Sequence, residues 1–322
     1  MTDIALIEAA ASRLAGHVRR TPFLNAPLLD RLSGRRIFVK AECLQVTGSF
    51  KARGGWSAVS ALDPKARARG VIAYSSGNHA QGVAHAAASH GAPCVILMPS
   101  DAPQVKIANT RAYGAEVVLY DRAAENRDAI GARLSADRGL TLIKPYDDPQ
   151  VIAGQGTVGL ELADQAHEAG IADAPVFVPC GGGGLSSGIA LALSARAPGL
   201  QVRTAEPAGF DDMARSLASG TRQKNPAPGG SICDAILTPT PGDLTLPILS
   251  RLAGPGAVVS DDQALRAMAL AFTHLRIVLE PGGAAALAAV LFGEDLPDTV
   301  IAIATGGNVD PATFTAALDR FA

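Results

Sequence analysis

The sequence has no dense run of basic residues and little net charge of either sign. Its 322 residues include 28 lysines and arginines against 30 aspartates and glutamates, which gives a formal net charge of −2. Proteins that bind nucleic acids or anionic membrane surfaces usually carry a concentrated patch or run of positive charge. The near balance therefore argues against both of these partners and favours a small molecule.

Cysteine is also scarce, and its spacing indicates neither a metal site nor a disulfide framework. The four cysteines are scattered, without the short paired spacings that are typical of zinc ligands. Scattered free thiols fit a reducing compartment, where disulfides rarely persist. We therefore expect a cytoplasmic protein whose thiols are free, namely those of Cys43, Cys94, Cys180 and Cys233.

Neither a secretory leader nor a membrane-spanning helix is expected. The first residues include the acidic Glu8 and show no basic stretch ahead of an apolar core. The segment 173–196 has no charge between its ends, but Pro175, Pro179 and the glycines at 181–184 divide it. These residues predict a strand, a loop and a helix in place of one long apolar helix.

Short apolar segments alternate with segments of helical periodicity along most of the chain. Hydrophobic residues make up 48% of the sequence, enough for one large core or two smaller ones. Buried strands are predicted at 37–40, 71–74, 94–98, 116–120, 140–143, 176–178, 202–205 and 300–304. Helices are predicted at 4–18, from 51 through 62, and at 78–91, 105–113, 123–138, 151–169, 185–195, 262–275, 284–292 and from 311 onward. This alternation indicates an open, largely parallel α/β architecture, with two such domains and a cleft between them.

One lysine, Lys51, lies inside a short turn that is bracketed by Gly48 and Gly54. A lysine at the start of a helix is most often a solvated charge. The second interpretation is a reactive amine, which needs a lowered pKa, a bound aldehyde cofactor and a separate loop of backbone amides for the cofactor's phosphate. The rest of the sequence decides between the two.

A run of four glycines at 181–184 lies between the predicted strand 176–178 and the predicted helix 185–195. Consecutive backbone N–H groups at the positive end of a helix can converge on an anion. The run lacks the Gly-x-Gly-x-x-Gly spacing of dinucleotide sites and the Gly-Lys-Ser/Thr ending of a P-loop. A flexible turn is the alternative, but the position directly after a buried strand favours a phosphate cradle.

Two further loops follow predicted strands. Ser75-Ser76-Gly77-Asn78-His79 occupies a strand-to-helix junction and suits a substrate carboxylate, although a plain helix cap has the same composition. Asn78 can hydrogen-bond a phenolic oxygen, and His79 is either a packed helix residue or a catalytic one. Thr305, which follows the strand 300–304, offers a hydroxyl to the cleft or merely ends the strand.

The chain carries, in this order, the lysine turn, the serine–asparagine loop, the four glycines and the terminal Thr305-Gly306-Gly307-Asn308. Together these features resemble the fold-type II pyridoxal-phosphate (PLP) enzymes, which share a tryptophan synthase β-like fold. The most specific segments are Gly48-Ser49-Phe50-Lys51-Ala52-Arg53-Gly54 and residues 75–79, and the resemblance extends from residue 17 to residue 310. Within this family the chain is similar to the serine/threonine dehydratase, serine racemase and 3-hydroxyaspartate dehydratase group. The resemblance implies a large PLP-binding domain at 1–69 and 148–322 and a small substrate-binding domain at 70–147.

The resemblance also implies roles for individual residues. Lys51 would bind the cofactor's aldehyde and, once released, remove the substrate's α-proton. Thr305 would lie beside the pyridine nitrogen, where a hydroxyl, unlike a carboxylate, does not hold that nitrogen protonated; loss of a β-substituent is then favoured over transamination. The residues assigned to the cofactor are Phe50, Lys51, Asn78, Gly181, Gly182, Gly183, Gly184, Leu185 and Thr305.

The substrate residues implied by the resemblance leave two questions open. Ser76 matches the serine that acts as acid or base on the opposite face in racemases of this group, or it only binds a carboxylate. Arg127 aligns with an arginine that approaches dicarboxylates in relatives, or it is a surface charge on an amphipathic helix. The full set implied for the substrate is Ser75, Ser76, Gly77, Asn78, His79 and Arg127.

A divalent cation site is implied as well. Glu206 and Asp212 match a site in which two carboxylates and one backbone carbonyl, here that of Phe210, join water molecules. Oxygen ligands of this kind suit Mg²⁺, Mn²⁺ or Ca²⁺. The alternative is a solvated acidic surface.

Three functions follow from these residues. The first is a PLP-dependent ammonia-lyase, of the carbon–nitrogen lyase class, which eliminates water from L-threonine, L-serine or 3-hydroxyaspartate and yields a 2-oxo acid and ammonia. The second is an amino-acid racemase that uses Lys51 and Ser76 as two bases. The third is a PLP-binding or amino-acid-binding protein without catalytic activity. The family resemblance also implies a homodimer.

Overall fold

The computed structural model describes residues 2–102, 104–121, 124–227 and 229–322. Within these ranges the strands are β1 Phe23–Asn25, β2 Arg36–Lys40, β3 Val71–Tyr74, β4 Cys94–Pro99, β5 Glu116–Tyr120, β6 Thr141–Leu142, β7 Ala174–Pro179, β8 Leu200–Pro207, β9 Ala257–Val259 and β10 Thr299–Ile303. The helices are α1 Ile4–Leu14, α2 Pro27–Ser33, α3 Lys51–Ser60, α4 Pro64–Arg69, α5 Asn78–Ser89, α6 Gln104–Ala112, α7 Arg127–Arg138, α8 Pro149–Glu168, α9 Gly184–Arg196, α10 Asp212–Ser219, α11 Thr245–Leu252, α12 Asp261–Leu270, α13 Pro281–Phe292 and α14 Pro311–Phe321.

The strands form two separate sheets. The larger sheet has the order β1-β2-β10-β7-β8-β9 and is parallel except for the edge pair of β1 with β2. The smaller sheet has the order β5-β4-β3-β6 and is parallel throughout. The predicted parallel α/β architecture is confirmed. The smaller sheet uses strands between residues 71 and 142, and the exact domain boundaries at 69/70 and 147/148 stay a prediction.

Several predicted elements differ from the observed ones at their ends. The helix predicted at 4–18 ends at Leu14, because Ala15 adopts an extended ψ of 125°. The helix predicted at 262–275 is α12 followed by one π-helical turn, Ala271–Leu275, which ends where Arg276 takes a positive φ of 59°. The start predicted at residue 123 lies outside the described residues; α7 begins at Arg127 after the capping residue Asn126.

Within the described ranges, two short strands and four short α-helices were not predicted. Strands β1 and β9 have three residues each, too few to show an alternating pattern. The helices α2, α4, α10 and α11 have six to eight residues, about two turns, which is too short for a clear periodicity. None of the described helices has the length and apolar character needed to cross a membrane.

Helix α3 is held close to two other helices through glycines. A Cβ atom on Gly82 of α5 would lie 2.7 Å from the Lys51 carbonyl oxygen, and one on Gly154 of α8 would lie 2.5 Å from the Arg53 carbonyl oxygen. Real Cβ contacts are not this short, so only glycine permits the spacing. The glycines inside the predicted helices therefore fix the position of the first turn of α3.

A buried ion network also anchors α3. The guanidinium of Arg53 is fully buried and donates to Glu42 through two bonds of 2.8 Å and to Glu161 through bonds of 2.7 and 2.9 Å. Lys40 donates to Glu161 at 2.6 Å, and the hydroxyl of Thr21 donates to Glu42 at 2.5 Å. Each buried charge thus has an opposite partner, which is the condition under which buried charges are tolerated.

We expect Arg53→Met to destabilise the protein strongly, because the fully buried carboxylate of Glu42 would lose its main counter-charge. Removal of one partner of a buried ion pair costs about 3–5 kcal/mol. The measurement is the free energy of unfolding in denaturant. The control is Arg320→Met, which breaks a pair with Asp262 in which both side chains are more than half exposed; it should cost less than about 1 kcal/mol. Equal losses in the two variants would contradict the structural role of the network.

Candidate active site

One pocket collects most of the predicted site residues. Loops that follow the carboxyl ends of β3, β7 and β10 line it, together with the start of α3. Ligand sites in open α/β sheets lie at these strand ends. The predicted residues that line the pocket are Phe50, Lys51, Ser75, Ser76, Gly77, Asn78, His79, Gly181, Gly182, Gly183, Gly184, Leu185 and Thr305.

The turn before α3 is docked on the end of β10, and this brings Lys51 beside Thr305. Ser49 forms an antiparallel bridge with Gly306, and the Phe50 N–H donates to the Thr305 carbonyl oxygen at 3.1 Å. The turn needs Gly48, whose φ is 76° and whose absent Cβ would lie 2.5 Å from a side-chain atom of Asn308. Two segments that are far apart in sequence thereby meet at one point.

The Lys51 amine has the electrostatic environment of a nucleophile. Its Nζ donates to the Pro145 carbonyl oxygen at 2.8 Å and lies 5.1 Å from the centre of the Phe50 ring. Desolvation lowers the pKa of Lys51 to about 8, although the nearby Glu280 carboxylate opposes the shift. An amine with this pKa has a substantial neutral fraction near pH 8, and the neutral form attacks aldehydes and accepts protons.

Asn78 belongs to a hydrogen-bond chain that was not predicted from the sequence. Its side-chain N–H donates to Glu280 at 2.5 Å, and its side-chain oxygen accepts from Asn308 at 2.7 Å. Asn308 also donates to the Thr47 carbonyl oxygen at 2.8 Å. Burial raises the pKa of Glu280 to about 7, against the effect of the Asn78 hydrogen bond. Asn78 is therefore held in one orientation with its amide at the pocket.

The four glycines form a loop into which larger residues would not fit. A Cβ on Gly182 would lie 2.2 Å from the Tyr146 ring, and one on Gly184 would lie 2.7 Å from the Gln155 side chain. Gly183 has a φ of 91° and precedes α9 without any side-chain cap on the helix. The first N–H groups of α9 thus face the loop without a capping partner, as in sites that bind anions.

Unsatisfied polar atoms next to this loop support the same interpretation. Among the described residues, the side-chain N and O of Gln155 and the hydroxyl of Ser186 are buried and lack a hydrogen-bond partner. Both residues line the pocket. Buried polar groups are rarely left unpaired in proteins. A phosphate group in the glycine loop would supply acceptors for the Gln155 N–H and the Ser186 hydroxyl, so the residues present fit PLP.

The surroundings of His79 are those of a packed helix residue and not of a catalytic histidine. Its Nε2 lies 2.9 Å from the Ile143 carbonyl oxygen, and burial lowers the pKa of His79 to about 3, helped by the charge of Lys51. The ring is therefore neutral near pH 7 and donates its Nε2 proton to that carbonyl. Of the two alternatives for His79, the geometry favours the structural one.

Arg127 does not line the pocket. Its guanidinium carbon lies 5.6 Å from the centre of the Tyr74 ring, and its Nε lies 3.4 Å from Asp128. Tyr74 does line the pocket, and so does Tyr146, whose pKa burial raises against the smaller lowering effect of the Arg127 charge. The dicarboxylate role of Arg127 stays a prediction. A different cation, Lys106, lines the pocket. No pattern in the sequence of α6 indicated that this lysine would be a pocket residue.

The predicted metal residues lie together at the end of β8, away from the pocket lining. Both oxygens of the buried Glu206 carboxylate accept backbone N–H groups, from Met213 at 2.9 Å and Ala214 at 2.8 Å. Asp212 accepts from Asn225 at 2.6 Å through one oxygen, and its other oxygen is buried without a partner among the described residues. No group of three or more His, Cys, Asp or Glu side chains suited to a metal occurs among those residues.

Burial raises the pKa of Glu206 to about 8 and that of Asp212 to about 6. Two desolvated carboxylates at the same end of a strand would gain from a shared cation, which would stabilise their charged forms. The unpaired Asp212 oxygen is the feature that fits such an ion.

Known proteins resemble this chain over nearly its whole length. The family model described as pyridoxal-phosphate dependent enzyme matches residues 14–306. An L-threo-3-hydroxyaspartate ammonia-lyase of a Pseudomonas species is 43% identical over 303 residues, 94% of this chain and 93% of that protein. The crystal structure of a threonine deaminase from T.th. is 45% identical with a TM-score of 0.90, covering 96% of this chain and 99% of that one. Maize serine racemase is 36% identical with a TM-score of 0.91, covering 99% and 97%.

We expect the Lys51 amine of the apoprotein to become reactive near pH 8. As pH rises through the lowered pKa, the neutral amine fraction increases, so acylation of Lys51 should reach half its maximal rate at about pH 8. Competitive labelling at a series of pH values, followed by peptide mass spectrometry, measures this midpoint. The exposed Lys65 is labelled in the same sample as an internal reference. A Lys51 midpoint above pH 10 would contradict the proposed desolvation.

Proposed function

Because the chain belongs to the pyridoxal-phosphate dependent enzyme family, we propose that it is an ammonia-lyase that removes water from a 3-hydroxy amino acid. The family resemblance predicted from the sequence is confirmed. The observation that carries the proposal is the hydrogen bond from the Phe50 N–H to the Thr305 carbonyl oxygen, which holds the Lys51 turn at the end of β10, where Lys51 and Thr305 line one pocket. The relatives named ammonia-lyase and deaminase support it.

The residues that would hold the cofactor come from four segments. Lys51 would bind its aldehyde, Phe50 and Asn78 would contact its ring, and Thr305 would lie at the ring nitrogen. The N–H groups of Gly181, Gly182, Gly183, Gly184 and Leu185 would bind its phosphate. When bound, PLP supplies an electron sink for the electron pair that the α-proton leaves behind.

The substrate's α-carboxylate would bind at the start of α5. Ser75 and Ser76 line the pocket there, at the positive end of a helix, and the Gly77 N–H donates to the Ser75 hydroxyl oxygen at 3.1 Å. This position leaves the α-carbon toward Lys51, whose amine accepts the α-proton. The hydrogen bonds of Asn78 to Glu280 and Asn308 keep its amide fixed at the pocket while the proton moves.

The hydroxyl at C3 takes up a proton and leaves as water, which balances the α-proton that the Lys51 amine has accepted. The resulting enamine isomerises to an imine. Water then hydrolyses the imine, so the net products are a 2-oxo acid and ammonia. A hydroxyl at Thr305, in place of a carboxylate, favours this elimination over transamination because it does not hold a ring nitrogen protonated.

Racemisation is the second candidate function. Ser76 lines the same pocket as Lys51. In this alternative, which the family resemblance implies, the Ser76 hydroxyl would exchange a proton on one face of the α-carbon and the Lys51 amine would act on the other. The likeness to maize serine racemase supports this alternative. The two activities differ in their product, since a racemase returns the opposite enantiomer and releases no ammonia.

The expected result for the wild-type protein is ammonia release from at least one of L-serine, L-threonine and the stereoisomers of 3-hydroxyaspartate. Lys51→Ala should lower kcat by at least about 100-fold, the usual effect of losing a general base. Ser76→Ala is the matched variant: it should still release ammonia, with a higher KM because one contact to the α-carboxylate is lost, and it should lose any inversion. Inversion without ammonia release in the wild-type protein would overturn the lyase in favour of the racemase.

We propose in addition that a divalent cation binds to Glu206, Asp212 and the Phe210 carbonyl oxygen, as the family resemblance implies. The unpaired, buried oxygen of Asp212 supports this site. A homodimer and a cytoplasmic location are also proposed. The four cysteines are free and buried, in keeping with a reducing compartment.

Cation removal should lower thermal stability, because an ion that binds only the folded state stabilises it. Addition of Mg²⁺, Mn²⁺ or Ca²⁺ to EDTA-treated protein should raise the unfolding temperature by roughly 5 °C. Asp212→Asn should abolish the increase, and Asp262→Asn, at an exposed site, should not. An unchanged increase in the Asp212 variant would rule out this cation site.

A further inference from the structure

One ion pair at the pocket has no role in the chemistry described so far. Lys106 lies on α6, which packs with the smaller sheet, and Asp234 lies in the 3-10 turn Asp234–Ile236 beside the larger sheet. The Lys106 Nζ lies 3.0 Å from an oxygen of Asp234. Both residues line the same pocket as Lys51. The pair therefore connects the two sheet units at the pocket.

Lys106 is a cation that a substrate inside the pocket can reach. Among the described residues that line this pocket, the lysines are Lys51 and Lys106, and there is no arginine. The amine of Lys51 is committed to the cofactor and the α-proton. Arg127, which the family resemblance suggests for a dicarboxylate, is not among the lining residues, and its guanidinium lies over the Tyr74 ring. A second substrate carboxylate would therefore meet Lys106 first.

The partner of Lys106 is easily replaced. The side chain of Asp234 is 62% exposed and that of Lys106 is 24% exposed, so the aspartate is mostly in water while the lysine is partly enclosed. An ion pair with one largely solvated partner is weak. If a substrate carboxylate takes the place of Asp234, the ammonium keeps an acceptor and the aspartate becomes fully hydrated. The exchange of one carboxylate for another leaves the charge at Lys106 balanced.

The charges of Lys106 and Asp234 also affect the pKa of a carboxyl group that lines the pocket. Asp234 raises the pKa of the buried Glu280, whereas Lys106 lowers it, although burial has the largest effect. Both charged groups are thus close enough to influence the chain of hydrogen bonds that holds Asn78. Movement of Lys106 from Asp234 to a substrate would keep a positive charge near this chain.

We propose that Lys106 binds the second carboxylate of a dicarboxylic substrate of the 3-hydroxyaspartate type, and that Asp234 holds the lysine at the pocket until that carboxylate displaces it. This inference rests on the proposed ammonia-lyase function and specifies its substrate class. Lys106 then determines specificity, because a monocarboxylic substrate such as serine leaves the Lys106–Asp234 pair intact.

Kinetics of the holoenzyme test the assignment. Lys106→Met should lower kcat/KM for 3-hydroxyaspartate by about 100-fold, the size expected when one partner of an enclosed charge pair is removed, and mainly through KM. With L-serine the change should stay within about threefold. Arg138→Met, which removes an exposed cation paired with Glu116 outside the pocket lining, is the control and should change neither substrate by more than about threefold.

Asp234→Asn separates substrate binding from a purely structural contact. If Lys106 receives the substrate, loss of its competing partner should leave KM for 3-hydroxyaspartate unchanged or lower. If the pair only holds the two sheet units together, Asp234→Asn and Lys106→Met should impair all substrates alike, and that result would overturn the proposal. A selective loss in Arg127→Met would overturn it as well.

A binding measurement tests the assignment without turnover. L-Aspartate has both carboxylates but no 3-hydroxyl leaving group, and L-alanine has only one carboxylate. Titration of the holoenzyme, followed by the cofactor's absorption, should show tighter binding of L-aspartate, and Lys106→Met should weaken it at least tenfold without affecting L-alanine.

The two measurements distinguish a failure of this inference from a failure of the proposed function. If no substrate releases ammonia but the Lys106-dependent preference for L-aspartate is present, the lyase function is wrong and the Lys106 assignment stands. If ammonia is released but the wild-type protein binds L-aspartate no more tightly than L-alanine, the Lys106 assignment is wrong. Weaker PLP binding in Lys106→Met would also overturn it, by indicating contact with the cofactor's phosphate.

Discussion

The candidate site depends on how the first turn of α3 is held. Its backbone N–H at Phe50 is bonded to the end of β10, and two residues after Lys51 the side chain of Arg53 is fixed in a buried ion network. The amine is thus desolvated on a turn that cannot move away from the pocket. A lysine with a lowered pKa can act as a nucleophile or base only if the structure also holds its amine in the position that the reaction requires.

The other parts of the site follow from close backbone contacts with this turn. Glycines at Gly82 and Gly154 let α5 and α8 approach α3, which sets the Asn78 loop and the Gln155 side chain around the same pocket. The glycine loop between β7 and α9 lines the same pocket on the side of the larger sheet. Both sheets thereby contribute to one site through the carboxyl ends of their strands.

Much of this arrangement could be predicted from the sequence, because short sequence patterns indicate the strands and the loops that follow them. Buried strands, strand-end loops and the glycine run are visible within a few residues of each other. The roles of Glu280 and Lys106 could not be predicted, because each depends on a contact with a residue far away in the sequence. Glu280 accepts from Asn78, and Lys106 pairs with Asp234. The predicted Arg127 shows the converse: its position on a helix face did not reveal that its guanidinium lies over the Tyr74 ring and outside the pocket lining.

Reduction of the holoprotein with borohydride, followed by peptide mapping, tests the central claim most directly, because it shows which amine binds the cofactor. We expect one pyridoxyl group per chain, attached to Lys51, with complete loss of ammonia release. A pyridoxyl group on a different lysine, or an active protein that carries none, would contradict the account of this site.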